Sequence, residues 1–297
     1  GNDGTLAITL DGSENMQPDW VWIKARNYAI NHSIFDSVRG IKKELNSNAN
    51  TAEETENDML TAFGTNGFTV GSAGGVNSSS RNYVAWNWKA GGSASSNSNG
   101  SITSSVSANT TAGFSIVAYT GNGTAGATVG HGLGVAPEAI ILKSRSTNGA
   151  QWTVYHQGMG NTKGMQLDTT AAAGTSTLYW NDTTPSSTVF TLGAGGDPNG
   201  SGGNLIAYCF AGKQGYSKFG KYTGNGSSDG PFIYTGFRPA WILYKNTSTA
   251  DSWFLHDNKR QGFNSENELL FADLSNVEST VNRIDIFSNG FKAIDSD

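Results

Sequence analysis

Short apolar runs recur along the chain, and each is bounded by residues that favour turns. The stretch GFSIVAYTG, which begins at Gly113, alternates in part, with Phe114, Ile116 and Ala118 on one face. EAIILKS and WILYKN are shorter runs in which β-branched and aromatic residues are common. Apolar runs of this kind between clusters of Gly, Asn and Ser predict β-strands. We therefore expect an all-β chain.

Several of these runs occur more than once at similar spacings. QPDWVWIK, APEAIILK and RPAWILYK each carry a proline just before the apolar residues, at Pro18, Pro137 and Pro239. The run YVAWNWKAGG, from Tyr83, matches LIAYCFAGKQ, from Leu205. Three leucines also match, because Leu45, Leu167 and Leu270 are followed after 23, 23 and 21 residues by Phe68, Phe190 and Phe291. Self-similarity of this kind predicts tandem copies of one module.

We call residues 1–92 segment 1, residues 113–217 segment 2 and residues 218–297 segment 3. Residues 93–112 are rich in Ser, Asn and Gly and are predicted to be a flexible or extended linker. Segment 3 has no match to the closing run of the other two segments, so we expect it to be incomplete. Either the native product is longer at both ends or a strand from elsewhere closes segment 3, because an unpaired strand edge is a liability.

The density of predicted strands indicates how each segment folds. About seven or eight strands in roughly 100 residues are typical of an antiparallel β-sandwich. We predict a sandwich of the jelly-roll type for each segment, with a barrel as the alternative. TAEETENDMLTAF in segment 1, TSTLYW in segment 2 and VNRIDIF in segment 3 occupy the same place and are predicted to be a loop followed by a strand. For TAEETENDMLTAF a short helix is the alternative.

The composition narrows the class of partner. Charged residues make up 14% of the chain, compared with about 25% in an average soluble domain. The surface is therefore covered largely by Ser, Thr, Asn and Gly, which suit short strands and tight turns. The net charge of -5 argues against nucleic acid, whose phosphates require a basic face. No apolar run approaches the roughly 20 residues of a membrane helix, so we expect no membrane insertion.

The sequence predicts no catalytic residue, no metal ligand and no cofactor, and we expect a protein that is not an enzyme. The histidines fall in no metal-binding motif and are His32, His131, His156 and His256. One acidic cluster is predicted to be a solvated loop rather than the carboxylate pair of a glycosidase, and comprises Glu53, Glu54, Glu56 and Asp58. Arg39, Lys42 and Lys43 are predicted to lie in a solvated loop, and contact with an acidic surface glycan is the alternative.

The aromatic residues supply the candidate binding site. Most of them fall at matching positions in different segments and are expected to be buried. Tyr179 and Trp180 differ, because they lie in the variable middle of segment 2 and precede Asn181 and Asp182. An aromatic face beside amide and carboxylate oxygens suits a sugar ring, whose C–H face stacks and whose hydroxyls form hydrogen bonds. These four residues form the candidate ligand-binding site, and packing within a strand is the alternative.

PDWVWIKARN, FDSVRG, YVAWNWKAGG and GYSKFGKYTGNGSSDG resemble a repeat family without assigned activity that is abundant in marine bacteriophages. In that family, tandem copies occur in tail-fibre-like and other virion proteins. The resemblance covers nearly the whole chain outside residues 93–112 and supplies no catalytic residues. It implies a virion or extracellular location and jelly-roll or concanavalin-like modules. It also implies other virion subunits as partners, with a homotrimer as one arrangement.

Two functional hypotheses follow. In the first, the protein is a host-surface adhesin that binds a cell-surface glycan through variable loops, and repetition raises avidity. This hypothesis predicts an exposed aromatic and polar patch. In the second, the protein is a spacer, decoration or assembly contact of the virion or of an extracellular filament. That hypothesis predicts buried matching aromatics and exposed faces that are featureless or used in subunit contacts.

Overall fold

The structure is a computed structural model that describes residues 1–260, 264 and 266–296. These residues form 24 strands and two short helices. Neighbouring strands of its sheets run antiparallel. The all-β prediction is therefore confirmed, and the architecture consists of several antiparallel sheets.

Segment 1 contains three small sheets. Its strands are β1 Leu6–Thr9, β2 Trp20–Ala25, β3 Ser33–Asp36, β4 Lys43–Glu44, β5 Glu54–Thr55, β6 Leu60–Gly64, β7 Gly67–Val70 and β8 Tyr83–Trp88. The strand orders in the sheets are β1-β7-β6, β3-β2-β8 and β4-β5. The stretch TAEETENDMLTAF contains β5 and most of β6, so the prediction of a loop followed by a strand is confirmed there.

Residues 93–217 contain the largest sheet. Their strands are β9 Ser95–Asn97, β10 Ser104–Asn109, β11 Phe114–Thr120, β12 Thr128–Gly130, β13 Ala139–Ser144, β14 Thr153–His156, β15 Lys163–Gln166, β16 Gly174–Thr175, β17 Val189–Thr191 and β18 Asn204–Phe210. The helices are α1 Thr177–Trp180 and α2 Gly196–Asn199. Eight strands form one sheet, in the order β16-β15-β14-β13-β18-β11-β10-β9, and β12 pairs with β17.

Segment 3 forms one sheet of six strands. These strands are β19 Phe232–Tyr234, β20 Trp241–Lys245, β21 Trp253–Asp257, β22 Glu266–Phe271, β23 Ser279–Phe287 and β24 Gly290–Ala293. Their order in the sheet is β19-β24-β23-β22-β21-β20, so β20 is an edge strand.

Residues 93–112 are extended, as one of the two alternatives predicted, but they are also paired. Strand β10 runs antiparallel to β11 from Ser104 to Asn109, and β9 pairs with β10. Ile102 and Val106 are buried in the apolar cluster of segment 2. This stretch is therefore part of the sheet of segment 2, and the description of it as a flexible linker is wrong. Its small polar side chains suit a strand that covers a sheet edge.

Alternate residues of β11 enter two different apolar clusters. Phe114 and Ile116 lie in a cluster shared by all three segments, which we call the central core. Val117 and Tyr119 lie in a second cluster built from residues 102–211 alone. Successive side chains of a strand point to opposite faces of its sheet. The eight-stranded sheet therefore separates the central core from the cluster that belongs to segment 2.

The central core joins the three segments. Segment 1 contributes Trp20 and Trp22, segment 2 contributes Trp152 and Tyr208, and segment 3 contributes Trp253. Segments 1 and 3 also have apolar clusters of their own. Most of the aromatic residues at matching positions are thus buried, as predicted, and many of them are buried between segments.

One kind of hydrogen bond occurs at all three contacts between segments. In each case a ring N–H near the start of a strand donates to a backbone carbonyl of the preceding segment, with segment 3 counted as preceding segment 1. The bonds are Trp152 Nε1 to the Asn46 oxygen at 2.8 Å, Trp253 Nε1 to the Gln166 oxygen at 2.9 Å, and His32 Nε2 to the Phe271 oxygen at 2.9 Å. The donors run from segment 2 to 1, from 3 to 2 and from 1 to 3. Three head-to-tail contacts of this kind close a ring.

The residues that accept these three hydrogen bonds, Asn46, Gln166 and Phe271, show that the predicted alignment of Leu45, Leu167 and Leu270 is partly wrong. The three acceptor residues are equivalent by their contacts, and Leu45, Met165 and Leu270 precede them. Leu167 is therefore two residues away from the position that it was predicted to share. Leu45 and Met165 each lie 13 positions after the ring donors His32 and Trp152, whereas Leu167 lies 15 positions after Trp152.

A second set of hydrogen bonds closes the same ring through the backbone. A backbone N–H of each segment donates to a backbone oxygen of another. These bonds are Glu53 N to the Arg145 oxygen at 2.8 Å, Ala173 N to the Thr247 oxygen at 3.1 Å, and Glu278 N to the Arg26 oxygen at 2.7 Å. The three segments therefore meet through matching contacts around one central core.

His256 gives the first testable prediction, because it is fully buried and both of its ring nitrogens are without a hydrogen-bond partner. In the strand pairing, His256 takes the position in segment 3 that Phe35 takes in segment 1 and Tyr155 takes in segment 2. Replacing His256 with Phe should raise the free energy of unfolding by about 1–2 kcal/mol at pH 7, because an unsatisfied buried polar group is removed. Chemical denaturation followed by tryptophan fluorescence measures this change.

The advantage of His256→Phe should grow in acid. Burial lowers the pKa of His256 to about 3, below its unfolded value of about 6.5. Between these pH values the unfolded chain binds one more proton, so the parent loses about 1.4 kcal/mol per pH unit as the pH falls. His32→Phe is the matched control: both nitrogens of His32 have partners, so that change should destabilise at pH 7. Stabilisation by both variants would contradict the argument.

Candidate functional site

Buried charges lie at two of the three contacts between segments. Arg39 forms an ion pair with Asp36 and donates to Glu53 at 3.1 Å. Glu53 also accepts from Arg145 of segment 2 at 2.8 Å. The side chains of Arg39 and Asp36 have no solvent exposure. Arg39 is therefore neither part of a solvated loop nor available to an acidic glycan, and Glu53 is not part of a solvated loop. These predictions for Arg39 and Glu53 are wrong.

The contact between segments 3 and 1 repeats this arrangement. Arg260 pairs with Asp257 at 2.6 Å and with Glu278 at 2.7 Å. Glu278 also accepts from Arg26 of segment 1 at 2.7 Å. Because these charges pair with one another inside the protein, we assign them to the assembly of the segments rather than to a ligand.

Three carboxylates in segment 1 could hold a cation. The carboxylate oxygens of Glu44, Glu54 and Glu56 lie within 4.8 Å of one another. Glu44 is buried, and this burial raises its pKa. Carboxylate oxygens are suitable ligands for Ca²⁺ or Mg²⁺. Exposed acidic groups commonly cluster without a metal, however, and Glu54 is exposed. In the part of the chain that the structure describes, the four histidines join no such group.

The predicted ligand site at residues 179–182 is only partly at the surface. Ser176 begins α1 by accepting a hydrogen bond from Leu178 N, and Asn181 ends it in the left-handed conformation. TSTLYW therefore contains a helical turn, and the prediction of a strand is wrong there. Trp180 points inward, is 1% exposed and meets Tyr155 edge-on at 5.6 Å. Its indole has no face available for a sugar.

The other three predicted residues stay nearer to solvent. Tyr179 has one face against Gly164, where an added Cβ would come within 2.7 Å of the ring. The Tyr179 hydroxyl accepts a hydrogen bond from Gln166 at 2.9 Å. Asp182 is exposed, and its backbone oxygen accepts from Asn161 at 2.7 Å. The ligand-binding prediction at this site therefore depends on the edge of Tyr179 and on the polar groups of Asn181 and Asp182.

A polar cleft lies where segment 2 meets segment 3. It has a volume of about 330 Å³ and is lined by Glu138, Gln157, Lys213, Gln214, Lys218 and Phe219, among others. Gln157 Nε2 donates to Glu138 Oε2 at 2.9 Å and to the Phe219 oxygen at 2.8 Å. These bonds fix a carboxylate and an amide in the lining of the cleft, where both can also bind a hydroxyl group.

Exposed aromatic rings stand beside this cleft. Tyr234 is 60% exposed, and the Lys218 ammonium lies 5.2 Å from the centre of its ring. Lys218 Nζ also donates to the Tyr234 backbone oxygen at 2.8 Å. Tyr216, at 58% exposure, precedes the lining residue Ser217. The cleft thus combines aromatic faces, a cation, a carboxylate and amides.

Sequence reasoning missed this cleft. The sequence signal for it is the stretch GKQGYSKFGK, which supplies most of the lining residues. A second cleft of about 490 Å³ occupies the matching place at the end of segment 1, and its lining includes Asp19, Lys89, Gly91 and Asn109. Asp19 and Glu138 both follow the proline that precedes a strand, so the two clefts use equivalent positions.

Comparison with known families places the whole chain in one of them. The model of DUF7483, described as a domain of unknown function, matches residues 1–297, and the chain belongs to this family. No curated protein and no solved structure matches the chain. Among the described residues, no helix is long and apolar enough to cross a membrane.

Proposed function

We propose that the protein is a non-enzymatic component of a virion appendage similar to a tail fibre, and that it binds glycans of the host-cell surface. In this proposal the three segments are copies of one β-sandwich module, and the protein acts outside the cell. Other virion subunits are its partners, with a homotrimer as one arrangement. The resemblance of PDWVWIKARN, FDSVRG and related stretches to bacteriophage repeats supports the virion assignment.

The cleft between segments 2 and 3 is the observation that carries glycan binding. Tyr234 and Tyr216 are among the most exposed large hydrophobic side chains of the described residues. Glu138, Gln157 and Gln214 line the adjacent cleft. An aromatic ring can stack on the C–H face of a sugar while carboxylate and amide groups bind its hydroxyls. A second cleft at the equivalent place in segment 1 would add to the avidity for a glycan-coated surface.

Tyr234→Ala tests the proposal. Binding of the purified chain to a glycan array and to host cells should fall about tenfold, because a stacking face of the cleft is lost. Tyr28→Ala is the control, since Tyr28 is 49% exposed in segment 1 and also carries a cation, Arg81, over its ring. Tyr179→Ala is a further arm that tests the site predicted from the sequence.

The outcomes separate the two functional hypotheses. Loss of binding with Tyr234→Ala and not with Tyr28→Ala supports a glycan site at this cleft. Loss with Tyr179→Ala alone would move the site to residues 179–182. If the folded parent binds no glycan and no host cell, adhesion is wrong. The alternative is then a spacer, decoration or assembly contact, which is favoured by the central core that holds the segments together.

A further inference from the structure

Two lysines give the cleft between segments 2 and 3 a local positive charge. Lys213 and Lys218 line the cleft, with Glu138 as the carboxylate of the same lining. In the part of the chain that the structure describes, neither ammonium group forms an ion pair. The whole chain carries a net charge of -5. The cleft is therefore a cationic site on an acidic protein, and it attracts an anion locally rather than through the protein as a whole.

The carboxylate of Glu138 is held by other groups of the cleft. Its Oε2 accepts a hydrogen bond from Gln157 Nε2 at 2.9 Å. Its Oε1 lies against the backbone of Gly212, where an added Cβ would come within 2.7 Å of this oxygen. Glu138 is thus fixed in the lining and leaves both ammonium groups without a paired carboxylate.

Lys218 is held beside the exposed ring of Tyr234. Its Nζ donates to the Tyr234 backbone oxygen at 2.8 Å and lies 5.2 Å from the centre of the ring. An ammonium group has three donor hydrogens, so the others can bind a ligand. A sugar that stacks on Tyr234 would bring its substituents next to this charge.

The loop that carries Lys213 is fixed by its own hydrogen bonds. Lys213 N donates to the Ser217 oxygen, and Ser217 N donates to the Lys213 oxygen, both at 2.9 Å. Gly215, at φ +76°, supplies the left-handed conformation of this tight turn. The aliphatic stem of Lys213 packs over Gly113, where an added Cβ would lie 3.0 Å from two of its carbons. A fixed loop loses little conformational entropy when it binds a ligand.

The equivalent cleft in segment 1 has a different charge. Its lining includes Lys89 and Asp19, and Gly91 stands where segment 2 has Lys213. Both carboxylate oxygens of Asp19 accept hydrogen bonds within the protein. The pair of lysines is therefore a feature of the cleft between segments 2 and 3, and Lys89 offers a matched control.

We propose that the cleft between segments 2 and 3 selects glycans that carry an acidic substituent, which Lys213 and Lys218 bind while the sugar ring stacks on Tyr234. The inference rests on the proposed glycan binding and specifies the class of its ligand. The substituent is a carboxylate or a sulfate ester. Both offer anionic oxygens to an ammonium donor, and such charge-assisted hydrogen bonds are stronger than neutral ones.

Two matched pairs of soluble polysaccharides test the proposal on the full chain. Polygalacturonate is compared with its methyl ester, and dextran sulfate is compared with dextran, so that each pair differs chiefly in charge. Binding to the immobilised chain is followed by interferometry. We expect the acidic member of one pair to bind at least about tenfold more tightly than its neutral partner. This preference should shrink when NaCl is raised to about 0.5 M. The pair that shows it identifies a carboxylate or a sulfate.

Glutamine variants assign the preference to the two lysines. Lys213→Gln and Lys218→Gln should each weaken binding of the acidic member about fivefold and change binding of the neutral member less than about twofold. Glutamine at 218 keeps an N–H donor for the Tyr234 oxygen, so the change removes mainly the charge. Lys218→Arg keeps the charge and should keep the preference. Lys89→Gln is the matched control, because it removes one charge from the other cleft.

The outcomes separate this inference from the proposed function. Equal affinity for the acidic and neutral members of both pairs would overturn the inference and leave glycan binding in place. An equal loss with Lys89→Gln and Lys218→Gln would also overturn it, because the attraction would then depend on overall charge. If neither acidic polysaccharide binds at about 1 mM sugar while neutral glycans of the array do, the inference alone is wrong. If the folded chain binds no glycan, the proposed function is wrong with it.

Discussion

Replacing Arg39 with Met should lower the free energy of unfolding by about 3–5 kcal/mol, because removing one partner of a buried ion pair leaves a buried charge without compensation. The Arg39 and Asp36 side chains are both fully shielded from solvent. Arg39 also donates to the Ile34 oxygen at 3.0 Å and to the Lys43 oxygen at 2.9 Å. Those carbonyls lose their partner in the variant. Urea denaturation of the purified chain measures the loss.

Methionine is a suitable replacement for Arg39 because segment 2 has a methionine at the equivalent position. Met159 stands three residues after His156, as Arg39 stands three residues after Asp36. The volume of the site is thus compatible with methionine, and the loss can be assigned to charge. The double variant Asp36→Leu with Arg39→Met is the control, and it should recover much of the loss because neither charge is left alone.

The pH dependence identifies the cause. Burial acts to raise the pKa of Glu53, but its pairing with Arg145 and Arg39 holds that pKa below its usual value. This lowered pKa contributes stability that is lost as the pH falls, and Arg39→Met removes part of it. The difference in stability between parent and variant should therefore shrink as the pH is lowered from 7 to about 4. A loss below about 1 kcal/mol at pH 7, or a difference that does not depend on pH, would show that Arg39 acts by packing alone.

The strands could be predicted from the sequence because their signal is local. Apolar runs between turn residues located β2, β11, β13, β18 and β20. The partial alternation in β11 also placed Phe114 and Ile116 on one face, and both lie in the central core. Matching aromatics were correctly expected to be buried. Periodicity reports that a residue faces an apolar surface, and it does not report whether that surface belongs to the same segment.

The contacts between segments could not be predicted, because they join residues far apart in the chain. Tyr208 and Asp36 are 172 positions apart. FDSVRG is polar in composition, so Arg39 was assigned to a loop, although its charge is neutralised by Asp36 and Glu53. A buried charge is recognised only when its partners are known. The same holds for the cleft between segments 2 and 3, whose lining residues come from separated stretches.

Residues 93–112 and Trp180 show two further limits. A Ser-rich stretch reads as a linker, yet strand β10 needs only a backbone ladder and a few apolar residues such as Val106 to join a sheet. Trp180 follows a variable stretch, but the helical turn α1 directs its ring inward. In both cases the polar neighbouring residues predicted exposure to solvent. The backbone hydrogen bonds of the strand and of the helical turn instead bury Val106 and Trp180.

Trp20→Ala should destabilise all three segments together, by about 3–5 kcal/mol. Trp20 is 1% exposed and stacks on Tyr208 of segment 2 at 4.5 Å. It also contacts Trp88 at 4.4 Å. Its Nε1 has no hydrogen-bond partner, so its contribution is packing, and truncation leaves a cavity in the central core. Chemical denaturation measures the loss, and Trp20→Phe is the matched control with a smaller expected effect.

Hydrogen exchange shows whether the central core couples the segments. If it does, Trp20→Ala reduces protection of Leu255 and its neighbours in segment 3 as well as protection in segments 1 and 2, because they unfold in one transition. Modules joined by a flexible linker would behave differently, since the loss would stay within segment 1 and the face of segment 2 that it contacts. Unchanged exchange in segment 3, together with a full loss in segment 1, would contradict coupling. The ring of contacts through Asn46, Gln166 and Phe271 would then hold the segments side by side without making them one cooperative unit.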